Sequence, residues 1–180
     1  MKHKLLVLCA LMSLSTVCAA DVTGYGSIRS GVSNLHIDTD YGSDLTDTVA
    51  NLGVAGGARF RDGGIGGRVE LEWTHYFKGS DTWRDFDIDF RADSLMVNGY
   101  LDLYPADWVN FYLTAGAGVS WADIKPSDFQ DKNSSGSFKG GAGVMFNIGD
   151  HFSIDLGYRY TRLASDMYSH DAQAGFTFNF

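Results

Sequence analysis

Cysteine is confined to the first eighteen positions of this 180-residue chain, at Cys9 and Cys18. Proline occurs only at Pro105 and Pro126. No stretch has 18 consecutive apolar residues, and none carries a sustained helical period, so a helical membrane span is excluded. Basic residues are outnumbered, 14 against 22 acidic, for a net charge of −8. That balance argues against nucleic acid as a partner.

The cysteines fall inside a leader. Lys2 and Lys4 precede the short apolar run Leu5–Leu14, and Cys18-Ala19-Ala20 places small residues ahead of Asp21. This is the pattern of a cleaved secretory signal, with a run too short to span a bilayer. Residues 1–20 are thus expected to be removed, and 21–180 to form one domain without disulfides, thiol chemistry or thiolate metal ligands. Removal takes two basic residues and no acidic ones, which moves the net charge from −8 to −10.

What the remainder has is alternation. In "GRVELEWTHYF", Gly67–Phe77, Val69, Leu71 and Trp73 alternate with Arg68, Glu70 and Glu72. Period two is an extended strand with one apolar and one charged face. Similar segments recur near Val22–Asn34, Asn51–Arg61, Ile65–Phe77, Ser94–Leu103, Phe111–Ala122, Ser137–Ile148, Phe152–Leu163 and Asp171–Phe180. Their connections alternate in length. Arg61–Gly64, Tyr104–Asn110 and Gly149–His151 are short, and Asp38–Ala50, Lys78–Asp93, Asp123–Gly136 and Ala164–His170 are longer, so both prolines are expected between strands. Short turns on one rim and longer loops on the other describe an eight-stranded antiparallel up-and-down transmembrane β-barrel, with about 10 residues per strand. The alternative is a soluble barrel with an apolar centre and charges in water.

The distribution of side chains favours lipid on the apolar side. Large aromatics gather towards strand ends, at Phe60, Trp73, Phe77, Phe111, Trp121 and Phe180, with Tyr158 on the same face, as in an interfacial girdle. The opposite parity carries Arg29, Arg59, Arg68, Lys139 and Arg159 against Glu70, Glu72, Asp102, Asp155 and Asp171. Eight strands leave an interior that side chains can fill. Near-equal numbers of both signs there predict a paired polar core, and a narrow ion or small-solute channel is the second reading.

"LMVNGYLDLYP", "FYLTAGAGVSWA" and "DLGYRYTRL" resemble strands of the opacity-protein and OmpX-like family of small eight-stranded bacterial outer-membrane barrels. The closing "AQAGFTFNF" is similar to the C-terminal signal through which barrel-assembly machinery engages such proteins. The resemblance covers most of 21–180. It implies location in the outer membrane, contact with its lipid, and a role in surface interaction, adhesion or envelope structure, with no cofactor. A host or surface ligand would then be met by the outer loops, where Asp38, Asp40, Asp44, Asp47, Trp83, Asp85, Asp87 and Asp89 lie. Asp38-x-Asp40 and Asp85-x-Asp87-x-Asp89 are candidate calcium ligands, but neither completes an EF-hand loop, and a solvated acidic rim is the simpler reading. Such a rim argues against heparin-like chains or lipid phosphates unless divalent cations bridge them.

An enzyme is the third reading. Lipid deacylases among small barrels carry a His-x-Ser pair facing lipid near the outer leaflet. The pair here, His151 and Ser153, follows a tight turn and points by parity into the lumen. His75 and His170 lie near the outer rim, without a serine–carboxylate arrangement visible in the sequence. Mass spectrometry of the exported protein should find its N-terminus at Asp21, and a retained leader would refute the processing assigned here.

Overall fold

The computed structural model describes residues 21–37, 45–77, 90–124, 133–164 and 167–180. Eight antiparallel strands follow one another in sequence order and close into a barrel. They are β1 (Asp21–Ile37), β2 (Leu45–Asp62), β3 (Ile65–Tyr76), β4 (Phe90–Ala106), β5 (Val109–Ile124), β6 (Asn133–Ile148), β7 (Phe152–Ala164) and β8 (Met167–Asn179). The seam joins β1 to β8 from Tyr25↔Asn179 to Ile37↔Met167. The sheet has no free edge strand, so each strand has a hydrogen-bonded neighbour on both sides over the shared length of the wall.

Two tight turns need glycine. Gly63 and Gly149 have φ of 60° and 66°, a region in which a side chain is strained. Around this rim Tyr104 N donates to Gly64 O at 2.8 Å, Asn147 N to Trp108 O at 2.9 Å, and Asn179 N to His151 O at 2.7 Å.

The strands run longer than the roughly 10 residues expected for a membrane crossing; they range from 12 residues in β3 to 18 in β2. Most of the extra length is at the long-loop rim. There β2 begins at Leu45, β4 at Phe90, β6 at Asn133 and β8 at Met167, all within segments expected to be loop. Asp47, expected in the first outer loop, belongs to β2 and pairs in register with Leu35. Ladder hydrogen bonds do not depend on an apolar face, so the strands continue past the point where the apolar pattern ends. Pro105 lies inside β4, at a register shift between Leu103 and Ala106. A residue without an N–H is tolerated at such an irregularity.

The burial pattern is inside-out. On the outer wall Leu71, Val97 and Leu113 are 53%, 55% and 59% exposed. On the lumen side Arg68, Glu70 and Glu72 are 1%, 2% and 1% exposed. A soluble barrel would hide the first group and display the second, so the arrangement excludes it. Among the described residues a buried apolar cluster, Leu35, Val49, Tyr76, Ala92 and Leu163 with Met167 packed against it, sits within the lumen near the long-loop rim.

The wall therefore requires lipid. Leu71→Arg should lower stability in liposomes by about 2–4 kcal/mol in urea titration, whereas Leu71→Ile should change it by less than about 1.5 kcal/mol.

Candidate functional site in the barrel lumen

Alternation on β3 sends Arg68, Glu70, Glu72, Thr74 and Tyr76 inward in sequence, and neighbouring strands answer them across the lumen. Glu72 is the hub. Its Oε1 accepts from Lys139 Nζ at 2.6 Å and from Thr74 Oγ1 at 2.8 Å. Its Oε2 accepts from Arg29 Nη1 at 3.0 Å, Asn98 Nδ2 at 2.9 Å and Arg159 Nη1 at 3.1 Å. Two residues away, Glu70 takes Arg29 through both oxygens, at 2.7 and 2.8 Å, and accepts the hydroxyls of Tyr25 at 2.8 Å and Tyr100 at 2.5 Å. Arg29 Nε lies 3.5 Å from Asp155, which also accepts from Tyr112 Oη at 2.7 Å. Like charges at Glu70 and Glu72 are tolerable because three cations and four neutral donors surround them. Buried ions without such company would be strongly destabilising.

A second pair lies nearer the short turns. Arg68 grips Asp102 with Nε and Nη2, both at 2.9 Å, and Asn110 Nδ2 adds a third bond to the same carboxylate at 2.8 Å. The Arg68 guanidinium is stacked 4.1 Å from the Tyr100 ring centroid and 5.0 Å from that of Tyr112. Delocalised cations over aromatic faces are stabilised once water is excluded. Tyr112 reaches the lumen centre because Gly143 and Gly157 leave room: a Cβ at either would come within 2.3 Å of its hydroxyl.

Towards the long-loop rim the ion pairs give way to hydroxyls and amides around the carboxylate of Asp171. Thr161 Oγ1 donates to Asp171 at 3.0 Å, and Asn51 Nδ2 to Ser33 Oγ at 2.7 Å. Above these lies the apolar cluster of Leu35, Val49, Tyr76, Ala92 and Leu163. Among the described residues, Arg59 has no carboxylate within ion-pair distance, although it belongs to the expected lumen set. Its Nη2 meets Met145 Sδ at 3.0 Å.

The lumenal tyrosines and the apolar cap were absent from the residues singled out by sequence. Their signal was available, because Tyr25, Tyr100 and Tyr112 share parity with Arg29, Asp102 and Thr114, and Leu35, Tyr76 and Leu163 share it with Arg29, Glu72 and Arg159. Trp73, Phe77, Phe111, Trp121 and Phe180 point outward. Tyr158 is outward too, but mid-strand, in register with Ala142 and Ala172, with its hydroxyl bonded to His170.

The enzyme candidates separate. Ser153 is fully buried and donates to Asn147 Oδ1 at 2.9 Å, and His151 Nδ1 contacts the Asn179 carbonyl at 3.2 Å. The pair does not converge on lipid. His75, near which the sequence shows no serine–carboxylate arrangement, has a carboxylate beside it: its Nδ1 lies 2.9 Å from Asp93 Oδ1 on the outer wall. The antiparallel register brings these two residues face to face. Ser94, adjacent to Asp93, is on the lumen side and fully buried. Asp38, Asp40, Asp44, Trp83, Asp85, Asp87 and Asp89 lie outside the described residues. Among the described residues, no group of three or more His, Cys, Asp or Glu is placed to hold a metal ion.

A closed antiparallel barrel with an apolar wall and an ionic interior defines a membrane-spanning β-barrel. The chain belongs to the family of the outer membrane protein beta-barrel domain, whose model matches residues 5–180; it is a small outer-membrane barrel, resident in the bacterial outer membrane, consistent with the expected opacity and OmpX-like resemblance. Its short turns then face the periplasm and its long loops the exterior. No curated protein sequence matches it significantly. Among solved structures, Neisserial surface protein A is 17% identical with a TM-score of 0.66, over 86% of this chain and 97% of that one. Ail, the attachment invasion locus protein of Yersinia pestis, is 21% identical with a TM-score of 0.61, over 87% and 99%. In its complex with the heparin analogue sucrose octasulfate, Ail matches at 25% identity and 0.57, again over 87% and 99%. The outer membrane enzyme PagL is 15% identical with a TM-score of 0.51, over 83% and 97%.

Removing the hub carboxylate leaves Lys139 and Arg159 without a carboxylate partner among the described residues, while Arg29 keeps Glu70. Glu72→Gln should cost about 3–5 kcal/mol in denaturant unfolding of the refolded barrel. A loss under about 1 kcal/mol would mean that Lys139 and Arg159 are sustained by water instead, as at a surface.

Proposed function

We propose that this protein is a rigid, non-conducting scaffold whose extracellular connections meet other surfaces, in attachment or in envelope structure. The observation that carries this reading is the filled lumen. An ion crossing it would have to pass the apolar cluster of Leu35, Val49, Tyr76 and Leu163, then break the pairs around Glu72. Dehydration at the first and displacement of charge at the second both oppose flow. A stiff wall with exposed connections is a common design for recognition.

The likeness to a surface protein of Neisseria and to the attachment protein Ail supports the same reading. Ail has been solved with a heparin analogue. The outer connections of this chain are rich in aspartate, which favours neutral or basic partners, or polyanions bridged by divalent cations. Catalysis has no part in this reading, since Ser153 and Ser94 are turned away from the lipid. Residues 1–20 act as the export leader, and β8 with its closing Phe180 as the handle for barrel-assembly machinery.

The test has two arms. The refolded mature chain, checked for heat-modifiable migration, should give no reproducible conductance steps in a planar bilayer. Displayed on a non-adherent laboratory bacterium, it should raise attachment to cultured epithelial cells several-fold, with the gain lost when residues 78–89 are replaced by a Gly-Ser linker. Steady steps that change with Glu72→Gln would instead make the lumen a pathway, and unchanged attachment after loop replacement would remove the recognition role from that loop.

A further inference from the structure

Not every described lumen charge makes an ion pair. Arg29, Lys139 and Arg159 share the central network with Glu70, Glu72 and Asp155, and Arg68 holds Asp102. Among the described residues Asp171, which accepts from Thr161 Oγ1, and Arg59 have no oppositely charged group at ion-pair distance, and they cannot serve each other. Register places Asp171 opposite Ser33 and Ser33 opposite Val49, ten residues from Arg59 along β2. At about 3.3 Å per residue that is roughly 33 Å of strand.

Arg59 is poorly served by its surroundings. Its register partner on β3 is another cation, Arg68. Its Nη2 contacts only a thioether, a weak acceptor, and its guanidinium lies 5.7 Å from the Tyr25 ring centroid. Its Nε is buried without an acceptor. A guanidinium with unfilled donors in such a place carries a standing free-energy penalty.

This side chain opens on a cavity of about 550 Å³ at the periplasmic mouth, also lined by Arg61, Thr23, Tyr104, Asp107 and Asp150. Arg61 lies 4.2 Å over the Tyr104 ring and holds Asp107 at 2.7 Å. The Asp107 side chain is 93% exposed, so that bond is readily exchanged for another. We propose that the cavity is a periplasmic oxyanion site, in which Arg59 grips a phosphoryl or carboxylate group of a small ligand and Arg61 supports it. The planar fork of Arg59 matches two oxygens of such a group, and a charge-assisted contact of this kind is stronger than one between neutral groups. Asp107 and Asp150 at the lip weigh against groups of high negative charge and favour singly charged ones. The ligand is either soluble in the periplasm or the headgroup of an inner-leaflet phospholipid, since both present the same oxygens.

The test uses the mature barrel refolded in an uncharged detergent, with its arginine side chains labelled by ¹⁵N. Inorganic phosphate and then acetate are titrated at constant ionic strength, with chloride as the replaced anion. Saturable shifts of the Nε–Hε signals confined to Arg59 and Arg61 are expected, lost in Arg59→Gln and weakened in Arg59→Lys. The signals of Arg29, Arg68 and Arg159 should stay in place. An equal drift in chloride, or an undiminished response in Arg59→Gln, would overturn the site. If Arg59→Gln does not fold, Arg59→Lys and the chloride comparison decide. Glycerol phosphate in solution against short-chain phosphatidylglycerol in the micelle separates the two sources: a response to both indicates a soluble ligand, a response to the lipid alone indicates a headgroup, and a response to neither counts against the site.

Discussion

Every other feature of this protein depends on one constraint: a backbone surrounded by hydrocarbon cannot leave its N–H and C=O groups unpaired. The β1–β8 seam answers it by removing the last free edge. Once the sheet is closed, strand geometry divides the residues of the regular ladders, alternate side chains to lipid and alternate side chains to the interior. With eight strands the interior is too narrow to be left to bulk water, so polar side chains placed there have to satisfy one another.

The solution is graded along the axis. The periplasmic third holds Arg59 and the Arg68–Asp102 pair, the middle gathers ions around Glu70 and Glu72, and the exterior end passes through hydroxyls and amides to an apolar cap. Long-range attraction between opposite charges is strongest where water is scarcest, which suits the densest ionic layer to the centre. Aromatic side chains lie between the layers. Tyr100 is the clearest example, donating to Glu70 while its ring stacks on Arg68.

Much of this could be read from sequence, because parity is a local property. Arg68, Glu70 and Glu72 against Val69, Leu71 and Trp73 is enough to orient β3, and the same reasoning orients the other strands. Partnership is not local. Glu72 meets Lys139 and Arg159 across separations of 67 and 87 residues, and which residues arrive at one height depends on strand tilt and stagger. The lumenal tyrosines escaped notice for a different reason. A phenol counts as apolar in a hydropathy pattern, although its hydroxyl makes it a member of the ionic layer. Strand ends were placed short because the apolar signal stops at the edge of the lipid and hydrogen bonding does not, as Leu45 and Asp47 show. His75 and Asp93 looked unrelated until antiparallel register set them face to face.

The spread of Glu72's partners over β1, β6 and β7 has a consequence for the order of assembly. Arg29, on β1, is only one strand removed from β3 and can meet Glu72 as soon as β1, β2 and β3 lie side by side. Lys139 and Arg159, on β6 and β7, come opposite Glu72 only when the sheet curls into a barrel. Burial of the Glu72 charge is therefore tied to curling of the sheet, because a carboxylate that lacks these cations is costly away from water. A dry interior and a closed barrel are thermodynamically linked: a substitution that leaves a charge unmatched in the lumen weakens the closed barrel as a whole.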